Sequence, residues 1–266
     1  MKLISLNVAL FEKNNAKLGD FLKFQRADFL SLQEVTKRID DTTDQDLISK
    51  DIIDITSPEL TQSFFAPVWV LSKFEKTNFH GKKHFLIDLG GKAEFGNYVK
   101  TKFEIVRGQN IFIQNHFTYV TDWSKWPDED CRAVQVVDLD LNGKKLRLLN
   151  YHGIWSKDKK GNDKTKTACE AIKAVALETT YPVIITGDFN LFPDTESISV
   201  FQPELRNLAN EFNIKTTRRF TNELSGKSRN VVDYIFVSKG VKVNNFQVLN
   251  NNVSDHLPLV FDFEIL

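Results

Sequence analysis

Short apolar or alternating runs recur from one end of the chain to the other, and this recurrence limits the fold more than any other feature. KLISLNVAL (2–10), ADFLSLQEV (27–35), FFAPVWVL (64–71), NYVKTKFEIV (97–106), NIFIQNHF (110–117), AVQVVDLDL (133–141), KLRLLNYH (145–152), YPVIITGDF (181–189), VVDYIFVS (231–238), VKVNNFQVL (241–249) and LPLVFDFEIL (257–266) are all of strand length. Several alternate apolar and polar residues, the pattern of strands with one covered face. NGKK at 142–145 separates two runs and is a hairpin signal. Helical spacing is confined to 16–25, 165–180 and 203–212, with a further short helix expected between Thr36 and Lys50. Helices that few, placed near the start, middle and three-quarter point, would cover the outsides of packed sheets. The chain of 266 residues shows no repeat, low-complexity tract or linker, so a single domain over 1–266 is expected. The stretch from about Gly90 to Pro127 is the least regular and reads as loops over one end.

Composition removes several function classes. Lys+Arg and Asp+Glu are 35 each, and a chain without basic excess is poorly suited to tight, non-specific gripping of long nucleic acid. Cys131 and Cys169 lack metal-like spacing, so neither a disulfide framework nor a zinc knuckle is expected. MKLISLNVALFEKNN lacks the marks of a signal peptide, and no apolar run approaches the roughly 20 residues of a membrane span. The expectation is a soluble, cytoplasmic protein with no transmembrane segment and no predicted protein partner.

Polar residues end or interrupt the buried runs. Asn7 follows KLISL, Glu34 follows DFLSLQ, His152 follows LRLLNY, Asp188 and Asn190 follow VIIT, Asp233 opens DYIFVS, and Asp255 and His256 precede LPLVFDF. Each has an ordinary reading. Gly, Asp and Asn in VIITGDFNLFPD are turn residues, with Asp194 or Thr195 capping the next helix. Glu34 can cap a helix or lie at the surface, His152 can be a satisfied core histidine, Asp233 an exposed strand acid, and SDH a turn. Together they occupy the places where an open sheet holds its chemistry. The inventory suits metal-assisted hydrolysis of a phosphate ester. Mg²⁺ seeks carboxylate oxygens and water, which Glu34 and Asp255 can supply. A carboxylate can align or deprotonate the attacking water, and an amide can hold its geometry. A histidine kept cationic by a buried acid can neutralise charge on the phosphoryl oxygens. HExxH and the Walker-type GxxxxGK[ST] are absent.

SLNV, SLQEV, NYHG, TGDFN, VVDYIFVS and SDHLP, in this order from residue 4 to residue 260, resemble the endonuclease/exonuclease/phosphatase superfamily. The resemblance implies a four-layer α/β sandwich, in which two packed, mainly antiparallel or mixed β-sheets are flanked by helices. It implies Glu34 as principal metal ligand, with Asn7 close by and Asp255 a further contact, and Mg²⁺ as cofactor, with Mn²⁺ as a substitute. Asp188 is similar to the acid that activates the water, and Asn190 to the neighbour holding water and phosphate. His256 resembles the phosphate-contacting histidine oriented by Asp233, and His152 occupies the place of a His or Tyr near the scissile phosphate. Two positions depart from this pattern. Ala9 stands where some relatives carry a second acid, and GIW after His152 replaces a polar phosphate contact, with Trp155 packing or stacking on a substrate ring.

The substrate stays open between a nuclease-like phosphodiester, DNA or RNA, and an inositol-phosphate or lipid head group of phosphatase or sphingomyelinase type. Compact size favours the nuclease branch; a non-catalytic binding module is a poor fit to intact acids and histidines. Basic stretches at 157–166 and 215–229, including Arg218, Arg219 and Arg229, either rim the site to hold phosphates or form solvated loops. YVTDWSKWP at 119–127 offers aromatics that stack on bases, meet a lipid interface, or pack beneath loops.

Overall fold

A computed structural model of the chain describes residues 1–9, 15–77, 84–120, 130–219 and 230–266. The first sheet contains β1 (Lys2–Asn7), β2 (Phe29–Arg38), β3 (Gln62–Thr77), β4 (His84–Thr101), β6 (Thr118–Tyr119), β12 (Val241–Val248) and β13 (Leu259–Ile265), in the order β12-β13-β1-β2-β4-β3-β6. The second contains β5 (Glu104–Gln114), β7 (Arg132–Leu141), β8 (Lys144–His152), β9 (Val183–Asp188), β10 (Arg206–Asn207) and β11 (Asp233–Val237), in the order β10-β11-β9-β8-β7-β5. Both sheets are mixed: β1–β2, β3–β6 and β8–β9 pair parallel, and the other pairs are antiparallel.

Strand alternation explains the layering. Leu3 faces the other sheet, where Leu148, Ile184 and Ile235 meet it, while Ile4 and Leu6 turn outward onto Leu18, Phe21 and Leu22 of α1 (Asn15–Gln25) and Ile53 of α2 (Ser49–Thr56). On the second sheet Leu149 and Ile185 turn outward onto Cys169 and Ile172 of α3 (Asp163–Leu177). Strands covered on both faces read as near-continuous apolar runs, which is why so many of these segments lack clean alternation. The result is the four-layer sandwich. Among the described residues no helix is long and apolar enough to cross a membrane.

The expected hairpin is present, with Asn142 and Gly143 both at positive φ (58° and 96°) between β7 and β8. Thr195 caps α4 (Glu196–Ser199) by accepting from the Ile198 N–H at 3.3 Å. Two expectations need correction. Most of 90–114 is strand, not loop, because its glycines permit close approach within a sheet. A Cβ on Gly96 would lie 2.2 Å from the Ala66 carbonyl oxygen on the paired strand β3. The helix expected over 203–212 is reduced to α5 (Leu208–Glu211), because β10 takes Arg206 and Asn207 for the sheet and Asn207 caps the turn that follows. Trp123 and Trp126 lie outside the described residues.

Candidate active site

The second sheet sets three side chains in a row. Register places His152 of β8 and Asp233 of β11 opposite Asp188, on either side of the end of β9. Gly187, just before Asp188, has φ 142°, and a Cβ there would lie 1.9 Å from the Tyr151 carbonyl oxygen, so only glycine lets these strands close up. Beyond the strand the chain turns. Asn190 has φ 55°, and its N–H donates to Asp188 Oδ1 at 2.8 Å. GDFN is therefore a turn, and that turn orients the Asp188 carboxylate.

The first sheet supplies the opposite wall. Glu34 lies inside β2, not at its end, in a bulge between Leu32 and Val35 where its φ is 59°. The bulge breaks the ladder and re-aims one side chain, placing a carboxylate where regular pairing would not. Asn7, at the end of β1, donates through Nδ2 to Glu34 Oε1 at 2.9 Å and Asp188 Oδ2 at 3.1 Å, joining the two sheets. Its Oδ1 accepts from the Ala9 N–H at 3.0 Å, so Ala9 contributes a backbone donor in place of an acid. Ser254 ties the SDH segment to the same strand end, donating to the Asn7 carbonyl at 2.7 Å and accepting from the His256 N–H at 3.1 Å.

The two buried histidines differ in charge. His256 Nδ1 lies 2.9 and 3.0 Å from the two oxygens of Asp233, and Nε2 lies 3.5 Å from Asp188 Oδ2. Burial disfavours the charged ring, but Asp233, with Asp188 and Asp255, outweighs burial and the nearby Arg218 and pushes the pKa up to about 9. Burial likewise opposes the Asp188 charge, yet His256, His152, Lys159 and Arg218 hold that carboxyl well below its usual range. Asp233 is displaced upward, by burial first and by Asp188. His152 goes the other way: burial, then Arg132, drops its pKa well below 6.5. Arg132 Nη1 lies 3.0 Å from His152 Nδ1, and a guanidinium can only donate. Nδ1 is thus the acceptor and the proton sits on Nε2, 3.5 Å from Glu34 Oε1 and 3.8 Å from Asp188 Oδ2. Asp130 Oδ2, 2.5 Å from Arg132 Nη2, holds that guanidinium.

Among the described residues, Asp188, Asp233 and His256 bring ligand-capable atoms within 4.8 Å of one another. In that group the His256 ring is already engaged, its Nδ1 by both Asp233 oxygens and its Nε2 by Arg218. The Glu34 side is different: the Asn7 amide nitrogen draws together the carboxylate oxygens of Glu34 and Asp188, and carboxylate oxygens are the donors that fit a hard divalent cation.

The sequence matches the Endonuclease/Exonuclease/phosphatase family over residues 4–256. The chain belongs to this family. Its members hydrolyse phosphate esters and are generally metal-dependent, and the chain is an enzyme of that kind. Solved structures of similar fold include an endonuclease/exonuclease/phosphatase from Bacteroides vulgatus (TM-score 0.71, 15% identity, 100% of this chain and 98% of that one). They also include a mannosyl-6-phosphatase from Bacteroides thetaiotaomicron (0.66, 16%, 100% of each chain) and the human Nocturnin catalytic domain with bound sulfate (0.63, 18%, 100% and 93%). At these identities the likeness concerns the fold. Comparison with curated protein sequences gives no match.

The remaining candidates of this family member are spread more widely. Arg218 bridges Asp255 and His256: Nη2 lies 2.5 Å from Asp255 Oδ2, and Nη1 contacts His256 Nε2. Arg219 is exposed, with its backbone N–H bonded to the Asp255 carbonyl at 3.0 Å. Trp155 is half-buried in the segment after β8, and Arg229 lies outside the described residues. Three participants went unread in the sequence. Arg132 heads an apolar strand, where a lone cation beside buried residues was the available signal. Thr217, whose Oγ1 accepts from the N–H groups of Val232 (3.0 Å) and Asp233 (3.2 Å), left none. Lys159 sits in KDKKGNDKTK, a stretch read as either a phosphate-holding rim or a solvated loop with no lysine singled out; it is buried and donates to Asn190 Oδ1 at 2.6 Å.

Proposed function

We propose that the chain is a Mg²⁺-dependent phosphodiesterase of nuclease type that cleaves by in-line attack of a water held at Asp188. The observation carrying this reading is the convergence on Asp188 Oδ2 of Asn7 Nδ2 (3.1 Å), His256 Nε2 (3.5 Å) and His152 Nε2 (3.8 Å). Glu34, with Asn7 and Asp255 nearby, would hold the cation, which supplies Lewis-acid polarisation of a phosphoryl oxygen. The Asp188 carboxylate, ionised before attack, accepts a hydrogen bond from the water, sets its lone pair toward phosphorus, and takes its proton as the new P–O bond forms and the ester oxygen leaves. The neutral His152 Nε2–H donates to an oxygen that gains charge, and His256, held through Nδ1 by Asp233, does so from Nε2 once Arg218 Nη1, which contacts Nε2 in the resting site, has moved onto the phosphate. Asn190 holds water and phosphate, and Arg218 stands where it can exchange Asp255 for a substrate phosphate.

Zero net charge and the full-length likeness to a mannosyl-6-phosphatase favour a second reading, a phosphomonoesterase for small sugar or inositol phosphates. Turnover on nicked, abasic, single-stranded and 5′-tyrosyl DNA, RNA, inositol phosphates, sugar phosphates and sphingomyelin, with Mg²⁺ or Mn²⁺ and with chelator, separates them. Cleavage of nucleic acid substrates supports the first reading. Turnover confined to monoesters replaces it with the second, and full activity in chelator removes the metal from both.

A further inference from the structure

We propose that Lys159 is a positioning residue that fixes the amide of Asn190 so that its N–H₂ group, not its oxygen, is offered to the reacting phosphate. The inference rests on the phosphohydrolase reading only for the word phosphate; the orientation itself follows from the contacts. The two ends of an asparagine amide are nearly identical in size, so packing does not choose between them and hydrogen-bond partners do. A lysine ammonium has donors and no acceptor. With Nζ at 2.6 Å, the atom facing Lys159 is therefore Oδ1, and Nδ2 is left on the side of the Gly153 carbonyl, 3.4 Å away, next to His152. Phosphoryl oxygens only accept, so the orientation that Lys159 selects is the one that binds them. The flipped amide would present lone pair to lone pair.

Lys159 is placed for this task and not for solvation. Lys157, Asp158 and Lys160 around it are exposed, whereas Lys159 is 9% exposed. Its φ of 52° is left-handed, a conformation uncommon for a residue other than glycine. Its carbonyl accepts from the Phe192 N–H at 3.0 Å, so the loop is fastened to the segment after β9 at both ends of the lysine. Gly153 allows that approach, since a Cβ there would lie 2.2 Å from the Phe189 carbonyl oxygen. A buried ammonium needs compensating negative charge, and the buried carboxylates of Asp188 and Asp233 supply it.

The test compares wild type with Lys159→Met, Lys159→Arg and Lys159→Ala, and repeats Lys159→Met in an Asn190→Ala background. Second-layer partners of this kind are typically worth about 10–100-fold in activity. Lys159→Met is expected to lower kcat by about that factor while KM moves little, and to add less than about twofold once Asn190 is alanine. Ethylammonium should restore part of the Lys159→Ala loss, and tetramethylammonium, which cannot donate, should not. The Asn190 side-chain ¹⁵N–H₂ resonances give a readout that needs no turnover: they should shift in Lys159→Met and stay close to wild type in Lys159→Arg. Unshifted resonances, or equal losses with and without the Asn190 amide, would overturn the proposal. Absence of turnover in wild type would instead remove the phosphohydrolase reading and leave the resonance test standing.

Discussion

Two buried histidines only a few ångströms from one carboxylate are pushed in opposite directions, and their partners decide it. His256 faces the acid Asp233 and is pushed up to about 9, while His152 faces Arg132 and is held neutral. Because the folded pKa of His256 exceeds its ordinary 6.5, its pairing stabilises the fold fully below about pH 6.5, and that contribution is lost as pH rises through about 9. If its cation assists turnover, kcat should fall along the same upper limb. Asp233→Asn should move that limb to lower pH, because the ring loses its main favourable charge. The pair should also act as a unit, so that Asp233→Asn with His256→Ala costs little more than His256→Ala alone. Additive losses measured in pH–rate profiles of the three variants would mean that the two residues work separately.

Elements position these groups in ways that the sequence shows unevenly. The ends of β1, β8, β9 and β11 were legible, because an apolar run that stops at Asn, His or Asp marks a core strand meeting a loop. The bulge that carries Glu34 was not legible: it depends on Gly96 and Asn97 of a distant strand, and nothing within SLQEV signals it. The glycines of 90–96 were misread for a related reason, since close approach of a paired strand leaves the same local mark as a turn. Nothing in its basic stretch set Lys159 apart from its neighbours, and only the fold brings Asn190 to it. Where glycine was read correctly as part of a strand end, its role is testable. Gly187→Ala sets a Cβ against the Tyr151 carbonyl and spreads β8 from β9. Strained backbone positions are worth about 1–3 kcal/mol each, so the urea midpoint should drop by at least that equivalent, with activity lost because His152 moves away from Asp188. An unchanged midpoint would show that the strands relax freely there.

At the scale of the molecule, the site exists only where the two sheets meet. Asn7 and Glu34 come from one sheet, Asp188, His152 and Asp233 from the other, and the Asn7 amide spans them. A cation bound between the sheets should therefore stabilise the whole fold, by about 2.7 kcal/mol at a hundred times its Kd. Thermal unfolding in Mg²⁺ against chelator should show a higher Tm for wild type and little difference for Glu34→Gln; an equal rise in that variant would place the cation elsewhere. The proposed activation of a water by Asp188 is tested most directly by Asp188→Asn, since the amide keeps the shape of the carboxylate but cannot accept a proton. With saturating Mg²⁺ and bis(4-nitrophenyl) phosphate, kcat should fall by about 10²–10⁴-fold with KM nearly unchanged. A fall of less than about tenfold would make Asp188 a turn residue and contradict the mechanism.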